Sequence, residues 1–208
     1  MKRREFIGGL LTGMAAVAAG PAFASPYSQQ GGMSVMVDPP NYVGGANYRL
    51  PKQFRRQVVK YDTEERPGTI VIDPSKRFLY LVMEDGEAMR YGVGVGREGF
   101  AWAGRARIAR KAEWPSWTPP AEMLKRRPDL AKYRTGMPGG PENPLGARAM
   151  YLFKGSQDTL YRIHGTNEPW TIGQAMSSGC IRLVNDDVKD LYNRVKIGSK
   201  VVVLGAPV

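Results

Sequence analysis

Between Pro67 and Val95 the sequence fits three β-type segments into a stretch too short for any other arrangement. Thr69-Ile70-Val71-Ile72-Asp73 and the run Arg77 to Met83 are β-branched or aromatic, and Asp73-Pro74-Ser75 turns the chain between them. Asp85-Gly86 is a hairpin signal leading into a third segment, Ala88 to Val95. Parallel pairing needs a crossover of roughly a dozen residues or more, so these connections allow only an antiparallel meander. Arg105 to Lys111, Ala147 to Phe153, Thr159 to His164 and Lys200 to Leu204 add further strand patterns, the middle two antiparallel through Gly155-Ser156. Helical patterning is confined to Glu122 to Tyr133, a short piece over Ile172 to Met176, and a final helix. In that helix Val188, Leu191, Tyr192 and Val195 fall at helical spacing behind a cap at Asn185-Asp186. The expectation is a mainly β fold with a few short helices.

The ends of the chain read differently. Lys2-Arg3-Arg4-Glu5-Phe6-Ile7, an apolar run from Gly8 to Ala19 and the A-x-A triplet Ala22-Phe23-Ala24 make residues 1–24 an export signal, with its arginine pair resembling the twin-arginine type. The apolar run is short for a membrane span and Pro21 interrupts it, so no span is expected after cleavage. Removing this segment takes away three positive charges and one negative, and the formal charge falls from +11 to +9. A surface this basic suits an anionic partner, and for an exported protein that means wall polymers or membrane surfaces. No aromatic-interleaved basic patch or zinc-finger spacing supports nucleic acid. Residues 25–66 read as a Gly-, Pro- and Ser-rich linker followed by an extension in which Phe54, Val58, Val59 and Tyr61 can supply one strand. The folded domain is expected over 67–208.

The protein has one histidine and one cysteine, and both lie in the stretch from Tyr161 to Leu183. A thiol is a weak nucleophile until a neighbour takes its proton or lowers its pKa, and an imidazole does either. Gly179 allows a tight turn before Cys180, so that the amides of Gly179 and Cys180 can face an oxyanion. His164 ends a strand just before Gly165, whose neighbourhood offers a backbone carbonyl to orient the ring. Free cysteines are commonly buried and inert, and this alternative stands beside the catalytic one. Two Cys or His residues are too few for a structural zinc site, and neither metal nor cofactor is expected.

His164-Gly165-Thr166-Asn167 followed by Ser177-Ser178-Gly179-Cys180-Ile181-Arg182-Leu183 resembles the signature of the L,D-transpeptidases, the YkuD-type domain of bacterial cell-wall enzymes. The likeness runs from about Pro67 to Leu204. Many members carry a second histidine where this chain has Ser178, which leaves His164 as the only imidazole base. Some carry Asn in place of Arg182. The resemblance implies a β-sandwich of mixed sheets and attack by Cys180 on the diaminopimelate–D-Ala bond of peptidoglycan stem peptides. It implies a periplasmic or envelope location and an acceptor that is another stem, an amine of an outer-membrane protein, or water.

Arg182, two residues past the cysteine, can pair with a substrate carboxylate or make a structural ion pair, and Ser178 and Thr166 stand as further substrate contacts. Trp114 and Trp117 open a Pro- and Gly-rich insertion that reads as a lid, with both rings either walling the substrate or plugging the core. The string from Gly94 to Gly99 fits G-x-G-x-x-G, but no helix opens there as a dinucleotide site requires. A sortase or cysteine peptidase is a second enzyme reading, and a non-catalytic wall-binding module is a third.

Overall fold

The computed structural model describes residues 48–97, 102–177 and 179–205, all within one compact unit, Val37–Val208. The export signal, the linker up to residue 47 and Ser178 lie outside the described residues. Eleven strands and two α-helices follow in order: β1 (Gln57–Lys60), β2 (Ile70–Asp73), β3 (Phe78–Val82), β4 (Glu87–Gly92), β5 (Val95–Gly96), β6 (Gly104–Glu113), α1 (Ala121–Arg126), β7 (Arg148–Lys154), β8 (Gln157–His164), β9 (Ala175–Ser177), β10 (Ile181–Arg182), α2 (Asn185–Arg194) and β11 (Lys200–Val203). The fold is mainly β, with mixed pairing and few short helices.

Nine strands form one sheet in the order β1-β4-β3-β2-β11-β6-β7-β8-β10, and β5 pairs with β9 in a small second sheet. The meander forms as its turns dictate, with Ile70 opposite Leu81 and Leu81 opposite Met89. Three pairs are parallel, β11 with β2, β10 with β8, and β5 with β9. The large sheet curls back on itself. Gly94, just past β4 near one end, exchanges two backbone hydrogen bonds of 2.9 and 2.8 Å with Arg182 of β10 at the other end.

Alternation within the strands explains the main core. Ile70 and Ile72, Leu79 and Leu81, Ile108, Met150 and Leu152, Ile163, Val201 and Val203 all turn inward, and α2 adds Val188 and Leu191. A residue of that size contributes about 1.5–3 kcal/mol when fully buried, so the helix is held by its apolar stripe. The far end of α2 is tied by Lys111 of β6, whose ammonium donates to the carbonyls of Tyr192 (2.6 Å) and Val195 (2.8 Å).

Two expectations are corrected. The segment Ile172 to Met176 is not helical: a single 3-10 turn, Pro169–Thr171, precedes it, Gly173 takes φ +87°, and β9 then pairs with β5. The helix expected from Glu122 to Tyr133 is broken at Arg127 (φ −132°), because Pro128 disfavours helical backbone before it; a 3-10 stretch, Pro128–Tyr133, follows. The strand expected in the extension before Pro67 is present: β1 pairs with β4, and the Tyr61 ring stacks on Tyr80 at 4.4 Å. That stack, with Val59 and Phe78, covers the outer face of the meander at Val71 and Val82. Tyr61→Ala is therefore expected to lower unfolding stability by about 1–3 kcal/mol in a urea titration, and an unchanged midpoint would make the extension an accessory.

Candidate active site

The two candidate catalytic residues reach the same place through a parallel ladder two residues long. β10 lies beside β8 with Ile181 opposite Ile163 and Arg182 opposite His164. Ile163 and Ile181 are buried in the core, so the period of two turns His164 and Arg182 to the opposite face. Arg162, one step back on β8, shares that face, and Cys180 immediately precedes β10, with the charges of Arg162 and Arg182 acting on both the imidazole and the thiol. The sulfur lies 4.0 Å from the carbonyl oxygen of Leu160 and receives a backbone hydrogen bond from Arg162.

The imidazole is fixed by its own next residue. Nδ1 of His164 lies 2.6 Å from the carbonyl oxygen of Gly165. A carbonyl only accepts, so Nδ1 carries the hydrogen and a neutral ring leaves Nε2 bare. Burial, with Arg182 and Arg162 adding to it against the Gly165 hydrogen bond, pushes the His164 pKa down to about 4. Burial likewise pushes the Cys180 thiol above its ordinary value, and the Arg162 and Arg182 charges offset this only in part. Cys180 itself is half-buried. At neutral pH both groups are therefore uncharged, Cys180 a thiol and His164 a neutral imidazole.

A clamp behind the histidine was not legible in the sequence. Asn185 reads there as a helix cap, but the N-cap residue is Val184, and the Asn185 amide turns inward instead. Its Oδ1 accepts from Ala147 N–H at 2.8 Å and its Nδ2 donates to the Thr166 carbonyl at 2.9 Å, tying β7, the loop after His164 and α2 together. Gly165 passes so close that a β-carbon there would meet Asn185 Oδ1 at 2.2 Å. Only a signal linking Asn185 with Gly165 could have revealed this.

The elbow is present, with one amide redirected. Gly179 has φ +117°, which glycine adopts readily. Its N–H, however, points to Ser177 Oγ at 3.1 Å, and that hydroxyl donates to the Cys180 carbonyl at 2.7 Å. Ser177 thus clasps the turn, and the Gly179 amide is occupied rather than facing an oxyanion. Behind the elbow, Trp102 stacks on Tyr161 at 5.5 Å, and the two line a small apolar cavity with Gly179 and Ile181.

The other expected contacts divide. Thr166 is buried and its hydroxyl accepts from Glu168 N–H at 3.0 Å, so it shapes the loop instead of facing a substrate. Trp114 is a core plug, 5 % exposed. Trp117 is half-buried and bridges to Met137, lining a groove of about 420 Å³ with Met123, Leu130, Tyr133 and Pro144 from the insertion. Asn167, Glu168 and Arg182 form the facing wall. Arg182 pairs with Glu168 at 3.2 Å. Asn143, fully buried, pins the insertion by donating to the carbonyls of Pro115 (3.0 Å) and Pro138 (2.9 Å). The glycine string at Gly94 runs into strand β5, and no helix opens within its described part.

Comparison with known proteins identifies the family. The family model described as the L,D-transpeptidase catalytic domain (YkuD) matches residues 67–203. The chain belongs to that family. It is 34 % identical over 199 residues to the probable L,D-transpeptidase ErfK/SrfK of Escherichia coli K12, covering 89 % of this chain and 59 % of that protein. With YbiS of the same strain, also a probable L,D-transpeptidase, identity is 31 % over 79 % of this chain and 52 % of that one. The chain therefore spans a little over half the length of these relatives. A Brucella melitensis crystal structure described as a probable carnitine operon oxidoreductase caia is 56 % identical, covers 74 % of this chain and 96 % of its own, and superposes with a TM-score of 0.52.

Asn185→Ala removes the acceptor for a buried amide and the donor to a buried carbonyl. We expect a loss of about 1–3 kcal/mol in chemical denaturation, together with faster hydrogen exchange at Ala147. Unchanged exchange at that amide would mean that the clamp does not carry the loop.

Proposed function

We propose that this protein is a peptidoglycan L,D-transpeptidase working through Cys180. The observation that carries the reading is the ring of His164, held by the Gly165 carbonyl with Nε2 bare, and the thiol of Cys180 just before the neighbouring strand. Nε2 takes the thiol proton as the sulfur bonds to the carbonyl carbon of the diaminopimelate–D-Ala bond. The oxyanion of the tetrahedral intermediate is met by the Cys180 amide, since the Gly179 amide is engaged with Ser177. The imidazolium then gives its proton to the departing D-Ala amine, the C–N bond breaks and a thioester remains. An imidazolium desolvated beside two guanidiniums is a strong acid, which favours that donation. An acceptor amine attacks the thioester, passes its proton to His164, and the thiol is restored.

The acceptor in this proposal is a second stem peptide or an amine of an outer-membrane protein, with water giving a carboxypeptidase. Export by the twin-arginine-type signal would bring the domain to the periplasm, where a basic surface suits the anionic wall. Among the described residues no helix is long and apolar enough to cross a membrane. The oxidoreductase description of the Brucella structure finds no support in the glycine string, whose Val95-Gly96 is strand.

Incubation with disaccharide tetrapeptide should release D-Ala and yield a cross-linked dimer, and Cys180→Ala should abolish both while circular dichroism is unchanged. Release without dimer would make it a hydrolase, and an active Ala variant would remove Cys180 from the mechanism. Iodoacetamide should alkylate Cys180 at a rate that keeps climbing above pH 8, as a thiol raised by burial requires. A rate already at its plateau by pH 6 would instead indicate a preformed thiolate.

A further inference from the structure

We infer that Glu168 and Arg182 together form a two-signed subsite selecting substrates that present a free amino-acid head, a carboxylate and an ammonium on one carbon. The inference rests on the peptide acyl-transfer reading of the site and names what that site recognises. Glu168 does not hang on a mobile tip. Its N–H donates to Thr166 Oγ1 (3.0 Å), and its carbonyl accepts from the amide (3.0 Å) and hydroxyl (2.7 Å) of Thr171. Both threonines are buried, so the backbone beneath the carboxylate is fixed while the side chain stays 47 % exposed at the groove. Arg182, opposite His164 on β10, places its guanidinium 3.2 Å from that carboxylate.

The charge balance decides what such a pair accepts. A half-exposed ion pair is weak and exchanges partners readily. A ligand with only a carboxylate must displace Glu168 from Arg182 and leave an acid without its cation. A zwitterionic head replaces one ion pair with two, its carboxylate on Arg182 and its ammonium on Glu168. Arg127 also lines the groove but is engaged on both sides by Asp129 at 2.9 and 2.7 Å. Glu142 is at the exposed rim. Met123, Leu130 and Met137 supply an apolar wall for the methylenes joining such a head to a peptide. In a stem peptide, the side-chain end of diaminopimelate is a head of this kind.

Glu168→Gln tests the idea because it should act with opposite signs on two probes. Calorimetry with full-length Cys180→Ala protein, with and without Glu168→Gln, would use L-Ala-γ-D-Glu-diaminopimelyl-D-Ala and the same peptide acetylated on the side-chain amine. The added change should weaken the free peptide about fivefold and tighten the acetylated one, because Arg182 no longer has a competing carboxylate. A shift of both peptides in the same direction would mean that Glu168 only supports the loop and would overturn the inference. No shift in either, or no binding of either peptide to the parent, would overturn it too. D-Ala release by the wild-type protein is scored separately: turnover without the crossed effect sinks the subsite alone, and the crossed effect without turnover sinks the catalytic reading alone.

Discussion

Two residues of parallel pairing carry the site. β10 pairs with β8 only at Ile181 and Arg182, yet this register sets the face that the imidazole and the Arg182 side chain share, with Cys180 at the start of the strand. So short a strand has little stability of its own. It is held from the other side by the Gly94 backbone and from behind by Leu183, whose N–H donates to the His164 carbonyl at 2.9 Å. Ile163 and Ile181, packed in the core, resist a slip of one residue, because slipping would bury Arg182 and expose an isoleucine. The curl of the sheet, which brings Gly94 to β10, is thus part of the active-site architecture.

Desolvation rather than pairing of charges sets the resting state. Two cations near the thiol would by themselves favour a thiolate, but burial outweighs them, and it lowers the imidazole for the same reason. A neutral pair avoids holding two buried ions in place before substrate arrives. In the proposed mechanism, proton transfer is deferred to the moment of attack, when the developing oxyanion supplies the balancing charge. The Gly165 carbonyl orients the ring without adding a charge.

How much was legible in the sequence follows from the range of each interaction. Turn chemistry and alternation are local, so the meander, β6 to β8 and α2 could be read directly, as could the Gly179 turn. Ile172 to Met176 misled because its composition fits a helix, while its conformation is decided by pairing with Val95, about eighty residues earlier. Asn185 looked like a cap because caps are what asparagine does near a helix start; its actual partners, Ala147 and Thr166, are distant in sequence. Trp114 and Trp117 are indistinguishable by composition, and only the packing of the insertion buries one and leaves the other at the groove. Glu168 was invisible as a partner of Arg182 because an ion pair across a groove leaves no periodic trace.

The central claim is that burial keeps His164 neutral while the Gly165 carbonyl fixes its hydrogen on Nδ1, leaving Nε2 without one. Because this is the only histidine in the protein, nitrogen-15 NMR of selectively labelled imidazole observes it without overlap. The account predicts a hydrogen on Nδ1, a bare Nε2 at neutral pH, and a titration midpoint near 4. A hydrogen on Nε2, or an imidazolium persisting above pH 7, would contradict it.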